Sequence, residues 1–262
     1  ILWPNNTLYY TIAPGFPNQQ RIVDAIAHWT SKTPLKIEPW AGQTNYVRFQ
    51  VSSDGGCSST IGMIGGRQTI DLGSGCPAAA VIHEIGHTFG LMHEQSRLDR
   101  DRWITILYEN IDDYDFDQFH QSTRERDAGY YDYGSIMHYS QEAFSLDGGT
   151  SIESVPPGIP IGQRVGLSAA DIDAISRLYG VIPTQTTVTT IPEGLTITVD
   201  GEQFIAPHAF TWAAGSKHTL SANATQLQGT TRDLFVRWTD GGDLSHTFTA
   251  SADQTVVAAE FQ

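Results

Sequence analysis

The sequence predicts an α+β domain of about 180 residues followed by a small all-β sandwich. In the first half, short β-branched and aromatic runs alternate with a helix carrying one apolar stripe, and two further helices punctuate the segment. Beyond Leu178-Tyr179-Gly180 the character changes, and every patterned stretch reads as strand. A chain of 262 residues has room for one such medium domain plus a small one.

Strands are expected at residues 8–12 (LYYTI), 35–40 (LKIEPW), 46–52 (YVRFQVS) and 68–72 (QTIDL), each bounded by Gly, Pro, Asn or Ser. Between the first two, QQRIVDAIAHWTS repeats Ile22, Val23, Ile26 and Trp29 at helical spacing, which predicts a helix with one buried stripe. A second helix is expected over residues 78–91, with Gly90 near its end to turn the backbone. A third starts at Ser168, where Asp171 three residues on resembles a capping box, and runs through Ile172, Ile175 and Leu178 to Gly180. Residues 95–165 show no sustained period, and a long irregular segment inside a compact domain points to function or a fixing ligand. The Thr-rich run 183–192, closed by prolines, reads as a connector between residues 1–182 and an immunoglobulin-like sandwich at 193–262.

Composition narrows the function classes. Net charge is −14 with only Lys32, Lys36 and Lys217 as lysines, a balance that repels phosphate backbones and argues against nucleic acid and anionic membranes as partners. No apolar run approaches the roughly 20 residues of a membrane helix, so insertion in a bilayer is not expected. No basic stretch leads into an apolar one at the start, so any signal peptide is expected to have been removed. Cys57 and Cys76 read as two free thiols, half of a metal site or one disulfide. Neither has a second ligand two to four residues away, which argues against metal. A bridge would close a loop of about 20 residues, is worth on the order of 3 kcal/mol, and fits an oxidising compartment.

The chemistry concentrates in His83-Glu84-Ile85-Gly86-His87-Thr88-Phe89-Gly90-Leu91-Met92-His93-Glu94. Residues four apart share a helix face, so His83 and His87 can aim at one ion, with Glu84 beside the metal rather than bonded to it. Gly90 lets the chain swing so that His93 reaches the same ion from outside the helix. Three neutral imidazoles leave a position open, as a catalytic rather than a structural zinc site requires. Three histidines within eleven residues, out of nine in the chain, are hard to account for as ordinary core side chains.

This extended motif is that of the metzincins, and HEIGHTFGLMHEQSRLDRD (83–101), with Glu94, Arg97, Asp99, Arg100 and Asp101, resembles the astacin signature. Ser135-Ile136-Met137-His138-Tyr139 is similar to the astacin Met-turn. The resemblance covers about residues 2–180, and the two motifs together are very specific. It implies a two-lobed catalytic domain with a mixed sheet, helices and zinc in the central cleft, followed here by the sandwich. The implied activity is that of a zinc endopeptidase with Glu84 as general base, Met137 as an apolar floor and Tyr139 as a fifth ligand that moves to stabilise the oxyanion. His138 is not expected to be a ligand.

Further roles follow from the same resemblance. The segment around Cys57 and Cys76 is similar to the family stretch in which one disulfide braces the cleft. Ser59, Thr60, Ile61 and Gly62 would then form the edge strand that pairs with an extended substrate. Ile161-Gly162-Gln163-Arg164 resembles the run that places an arginine in the S1′ pocket, which implies a preference for acidic P1′ residues. Mature astacins begin several residues before a pair like Leu2-Trp3 and bring their N-terminus to the glutamate after the third histidine. Ile1 is too near that pair, so Glu94 needs another partner or residues precede Ile1. Animal members usually carry a second bridge, whose cysteines are missing here, which points to a bacterial, secreted member. A protein or peptide substrate, a propeptide inhibitor before maturation, and a monomer are expected.

Other signals are weaker. Asp112, Asp113, Asp115 and Asp117 lack the calcium-loop register and read as a solvated loop. His208, His218 and His246 lack mutual spacing, and Trp212 and Trp238 read as core.

Overall fold

A computed structural model describes residues 1–122, 129–180, 183–251 and 254–262. The chain divides into two compact units, residues 1–29 with 36–179 and residues 30–35 with 180–262.

In the first unit, β1 (Thr7–Ile12), α1 (Gln20–Lys32), β2 (Lys36–Pro39), β3 (Tyr46–Val51), β4 (Cys57–Ser59) and β5 (Arg67–Leu72) lead into α2 (Ala78–Phe89). The sheet order is β2-β1-β3-β5-β4. β1, β2, β3 and β5 run parallel, while the edge strand β4 runs antiparallel to β5 with Ser59 opposite Ile70. Val47 and Phe49 on β3, and Gln68, Ile70 and Leu72 on β5, alternate inward as the two-residue period of a strand requires. α1 buries Arg21, Ile22, Ala25 and Trp29. The stripe therefore centres on Ile22, Ala25 and Trp29, and Val23, a quarter-turn away, is exposed.

α2 lies almost wholly in the core, with ten residues from Ala79 to Phe89 buried, and it ends at Phe89, two residues short of the expected bound, with Gly90 as its C-cap. Gly90 adopts φ 108°, and its N–H meets the carbonyls of Gly86 and His87. The Cys57–Cys76 disulfide links the start of β4 to the approach to α2. Buried Arg21 donates from Nη1 to the carbonyls of Gly73 and Cys76, at 2.7 and 2.6 Å, and so holds the same approach from α1.

Residues 95–165 contain more order than their sequence suggests. β6 (Ile104–Ile106) pairs antiparallel with β7 (Ile152–Ser154), four short 3₁₀ turns lie between Glu94 and Phe119, and Ile104, Ile111, Phe119, Tyr131 and Ile152 make a second small core. α3 (Ala169–Leu178) carries the full capping box: Asp171 N–H donates to Ser168 Oγ, and Ser168 N–H donates to Asp171 Oδ2.

The second unit is built from β8 (Pro183–Ile191), β9 (Thr196–Val199), β10 (Glu202–Ile205), β11 (His208–Ala213), β12 (Lys217–Ala222), β13 (Thr225–Gln228), β14 (Thr231–Trp238), β15 (Ser245–Thr249) and β16 (Val256–Phe261). Sheets of order β10-β9-β12-β15 and β11-β8-β16-β14-β13 enclose a core that includes Trp212 and Trp238. Residues 183–191, read from the sequence as a connector, are instead the interior strand β8, paired with β11 and β16. Thr186, Val188 and Thr190 are fully buried at two-residue spacing. Threonine is β-branched and fits a pleated, half-buried strand, so the Thr content that resembles a linker builds a sheet.

Candidate metal centre and active site

His83 and His87 stand one turn apart on α2, and the turn at Gly90 returns His93 to them. The Nε2 atoms of His83 and His87 lie 3.2 and 3.0 Å from Nε2 of His93, and the three ligand atoms fall within 4.8 Å of one another. Nitrogens about 2.05 Å from a tetrahedral zinc stand about 3.3 Å apart, so the spacing fits that ion. The tautomers agree. His83 Nδ1 contacts the Ile136 carbonyl at 2.8 Å and His87 Nδ1 the Leu91 carbonyl at 2.9 Å. A carbonyl only accepts, so both Nδ1 atoms carry hydrogen and both Nε2 lone pairs face inward. Burial holds the imidazoles neutral, lowering His83 to about 3, His87 to about 4 and His93 well below its ordinary value. Converging lone pairs at this separation repel unless a cation lies between them, and zinc suits the donor set. Among the described residues no other group of three or more His, Cys, Asp or Glu side chains is placed to hold a metal.

Glu84 shares an open cavity of about 450 Å³ with the three histidines, Ser59 and Tyr139. Its Oε2 accepts from Ser59 Oγ at 2.8 Å. Burial pushes the Glu84 carboxyl up to about 7, against the pull of the Ser59 hydrogen bond and the Arg164 charge. Tyr139 places its ring 4.5 Å from that of His93 and also packs against Phe119 and Phe144. Burial, then the Glu84 charge, pushes its phenol up to about 12. The Tyr139 N–H is held by Gln95 Oε1 at 3.0 Å.

Met137 is buried beneath α2 at Gly86, where a Cβ would stand 2.7 Å from the Met137 sulfur. Its carbonyl accepts from the Glu94 N–H at 3.2 Å. His138 is fully buried and bonded to the Tyr131 hydroxyl and the Tyr139 carbonyl, in keeping with a packing role. Glu94 finds its partner in the Asp132 N–H at 2.8 Å, with Arg97 3.7 Å away. Ile1 lies elsewhere, its carbonyl accepting from the Met63 N–H.

The proposed four-residue edge strand needs correction. β4 ends at Ser59, Thr60 is irregular, and Ile61 and Gly62 form a bend. The Gly62 N–H is committed to the His87 carbonyl at 2.8 Å, and its φ of 69° is left-handed, so it cannot extend the strand. Ile61 still lines the cavity. Arg164 is not among the lining residues but stands at the margin, near enough for its charge to act on Glu84 and Tyr139. Its Nη1 donates to the carbonyls of His138 and Gln163 at 3.0 and 2.8 Å, which fastens the side chain to the Met-turn backbone.

Gln118 and Phe144 line the cavity without having been singled out from the sequence. Phe144 has a left-handed φ of 57°, which no residue pattern announces. Asp171 is a second omission, because its capping role hid a tertiary one: its carboxylate also accepts from Ser135 Oγ at 2.6 Å and the Ile136 N–H at 2.9 Å. The Asp112 carboxylate caps a 3₁₀ turn through the Tyr114 N–H. In the second unit, Ser216, His218 and Asp200 line up at 2.8 Å spacings, but Ser216 is fully buried and so positioned as packing rather than nucleophile.

The fold of residues 1–180 and its histidine triad define a metzincin-type zinc domain. A family model described as astacin, a peptidase family, matches residues 1–180, and the chain belongs to that family. The zinc metalloproteinase nas-13 of Caenorhabditis elegans is 38% identical over 200 residues, covering 74% of this chain and 44% of the relative. The embryonic protein UVS.2 of Xenopus laevis is 41% identical over 190 residues, covering 68% and 36%. The chain thus spans less than half the length of either. The solved structure of high choriolytic enzyme 1, a hatching enzyme zinc-protease from the medaka Oryzias latipes, superposes with a TM-score of 0.64 at 32% identity, covering 69% of this chain and 93% of that one. His83, His87 and His93 are accordingly the zinc ligands.

Proposed function

We propose that the protein is a secreted endopeptidase that hydrolyses peptide bonds within the cavity over α2. The observation that carries this reading is the placement of Glu84. Its carboxylate shares the cavity with three converging imidazoles yet is bonded to Ser59, free of the ligand set. Zinc, when bound, supplies a Lewis acid that polarises a carbonyl and makes water acidic near neutrality. Glu84 accepts the proton of the attacking water and delivers it to the departing amine. Tyr139, protonated at neutral pH, donates its hydroxyl to the oxyanion forming at the attacked carbonyl. The free edge of β4 offers backbone groups to an extended chain, which favours polypeptide over other substrates.

The finer features belong to the same proposal. Arg164 reads the residue after the cleaved bond and favours Asp or Glu there, through a guanidinium held next to the Met-turn. The protein is an exported bacterial monomer, held inactive by a propeptide before maturation, and the sandwich is an accessory module.

Casein cleavage by the purified protein, with and without a zinc chelator and after zinc is restored, tests the reading. Cleavage is expected to vanish with the chelator and return with zinc. Zinc-loaded protein that cleaves no polypeptide overturns it.

A further inference from the structure

We infer that Ser59 is a positioning residue for Glu84, coupling the edge strand to the catalytic carboxylate; this rests on the role of Glu84 given above. β4 is fastened at two points, one just ahead of α2 and one within it. Cys57 and Ser59 project to the same side of the strand, two residues apart, while Ser58 points the other way. Cys57 is bridged to Cys76 ahead of α2, and Ser59 meets Glu84 in the second turn of α2. The strand edge and the helix that carries the triad are thereby held in one register.

The hydroxyl is well suited to this task. Ser59 Oγ lies 2.8 Å from both the main-chain carbonyl and Oε2 of Glu84. It has one proton, and the carbonyl already accepts from Thr88 Oγ1 at 3.0 Å. The Ser59 proton is therefore available to the carboxylate, and among the described residues no other hydrogen bond to that carboxyl is formed. A hydroxyl also accepts, so the contact persists whichever partner holds the proton while the other acceptor takes the Ser59 hydrogen. With Ser59 in place, the carboxylate keeps one orientation toward the cavity. Without it, Glu84 can turn among rotamers, and catalysis loses geometry rather than binding.

The test compares wild type, Ser59→Ala and Ser59→Thr on one peptide substrate, with zinc content and thermal midpoint measured alongside. The loss of one hydrogen bond to a charged group predicts a fall in kcat of about ten-fold or more for Ser59→Ala. KM should stay within about two-fold, full zinc should be retained, and Ser59→Thr, which keeps the hydroxyl, should recover most of the turnover. A raised KM with unchanged kcat overturns the inference, because that is what a residue serving only the substrate-pairing edge would give. So does an unaltered Ser59→Ala enzyme, or a Ser59→Thr enzyme as slow as Ser59→Ala. An inert wild type with zinc bound removes the peptidase reading and this inference with it.

Discussion

Asp171, in the first turn of α3, holds the N–H of Ile136 at 2.9 Å, and the carbonyl of the same Ile136 accepts from Nδ1 of His83 at 2.8 Å. A helix cap thus supports a zinc ligand through a single residue of the Met-turn. The partners that fix a ligating imidazole typically matter by ten- to a hundred-fold in metal affinity. Asp171→Ala is expected to weaken zinc binding by about ten-fold and to lower the thermal midpoint, since two buried donors and one part-buried donor lose their acceptor. Competition against a chelator of known affinity measures it, and a lower midpoint with unchanged zinc affinity would show that the cap serves α3 alone.

Gly86 sets two effects against each other. Alanine gains up to about 1 kcal/mol of helix propensity. Its Cβ would stand 2.7 Å from the Met137 sulfur and 3.5 Å from Trp29, in a core where overpacking costs about 1–3 kcal/mol. Overpacking outweighs propensity, so Gly86→Ala should be destabilising by on the order of 1 kcal/mol, read from denaturant midpoints. A stabilised variant would mean that Met137 is loosely packed.

Metal-free protein should lose stability on acidification. His83, His87, His93 and His138 are held below their ordinary values by burial, so below about 6.5 the unfolded chain takes up protons that the folded one refuses. Glu84 and Glu94, pushed up to about 7 by burial, act in the opposite sense between 7 and 4.5. Four imidazoles outweigh two carboxyls, which leaves a net loss on the order of 2 kcal/mol per pH unit from 6.5 to 4.5. Urea midpoints of chelated protein at pH 6.5 and 5 check the sign, and a flat or rising midpoint contradicts it.

Tyr139→Phe keeps the ring contacts to His93, Phe119 and Phe144 and removes only the hydroxyl. Loss of one oxyanion donor predicts a kcat lowered by about a hundred-fold with KM little changed. Steady-state kinetics decide, and a change confined to KM would place the hydroxyl in substrate binding instead.

Cleavage-site profiling of wild type and Arg164→Ala tests the acidic P1′ preference. Wild type should favour Asp or Glu at P1′, and the variant should lose that bias, with its midpoint lowered by the loss of the hydrogen bonds to the His138 and Gln163 carbonyls. A random or apolar P1′ in the wild type removes the role.

What could be read from residue order is what local geometry governs. His83 and His87 share a face because a helix repeats every 3.6 residues, Gly90 turns because it tolerates positive φ, and Ser168 caps because Asp171 stands three residues on. The choice of a disulfide among the readings open to Cys57 and Cys76, and the roles expected of Met137 and Tyr139, came from family likeness, not from spacing. Other features were settled only when distant segments packed. Ser59 found Glu84 twenty-five residues away, Asp171 took hold of the Met-turn, Arg164 was tied to the His138 carbonyl, and a Thr-rich run became an interior strand. Periodicity is a property of the backbone and is written in adjacent residues. The partner of a polar side chain is chosen by burial, which obliges each donor to find whichever acceptor the fold brings near.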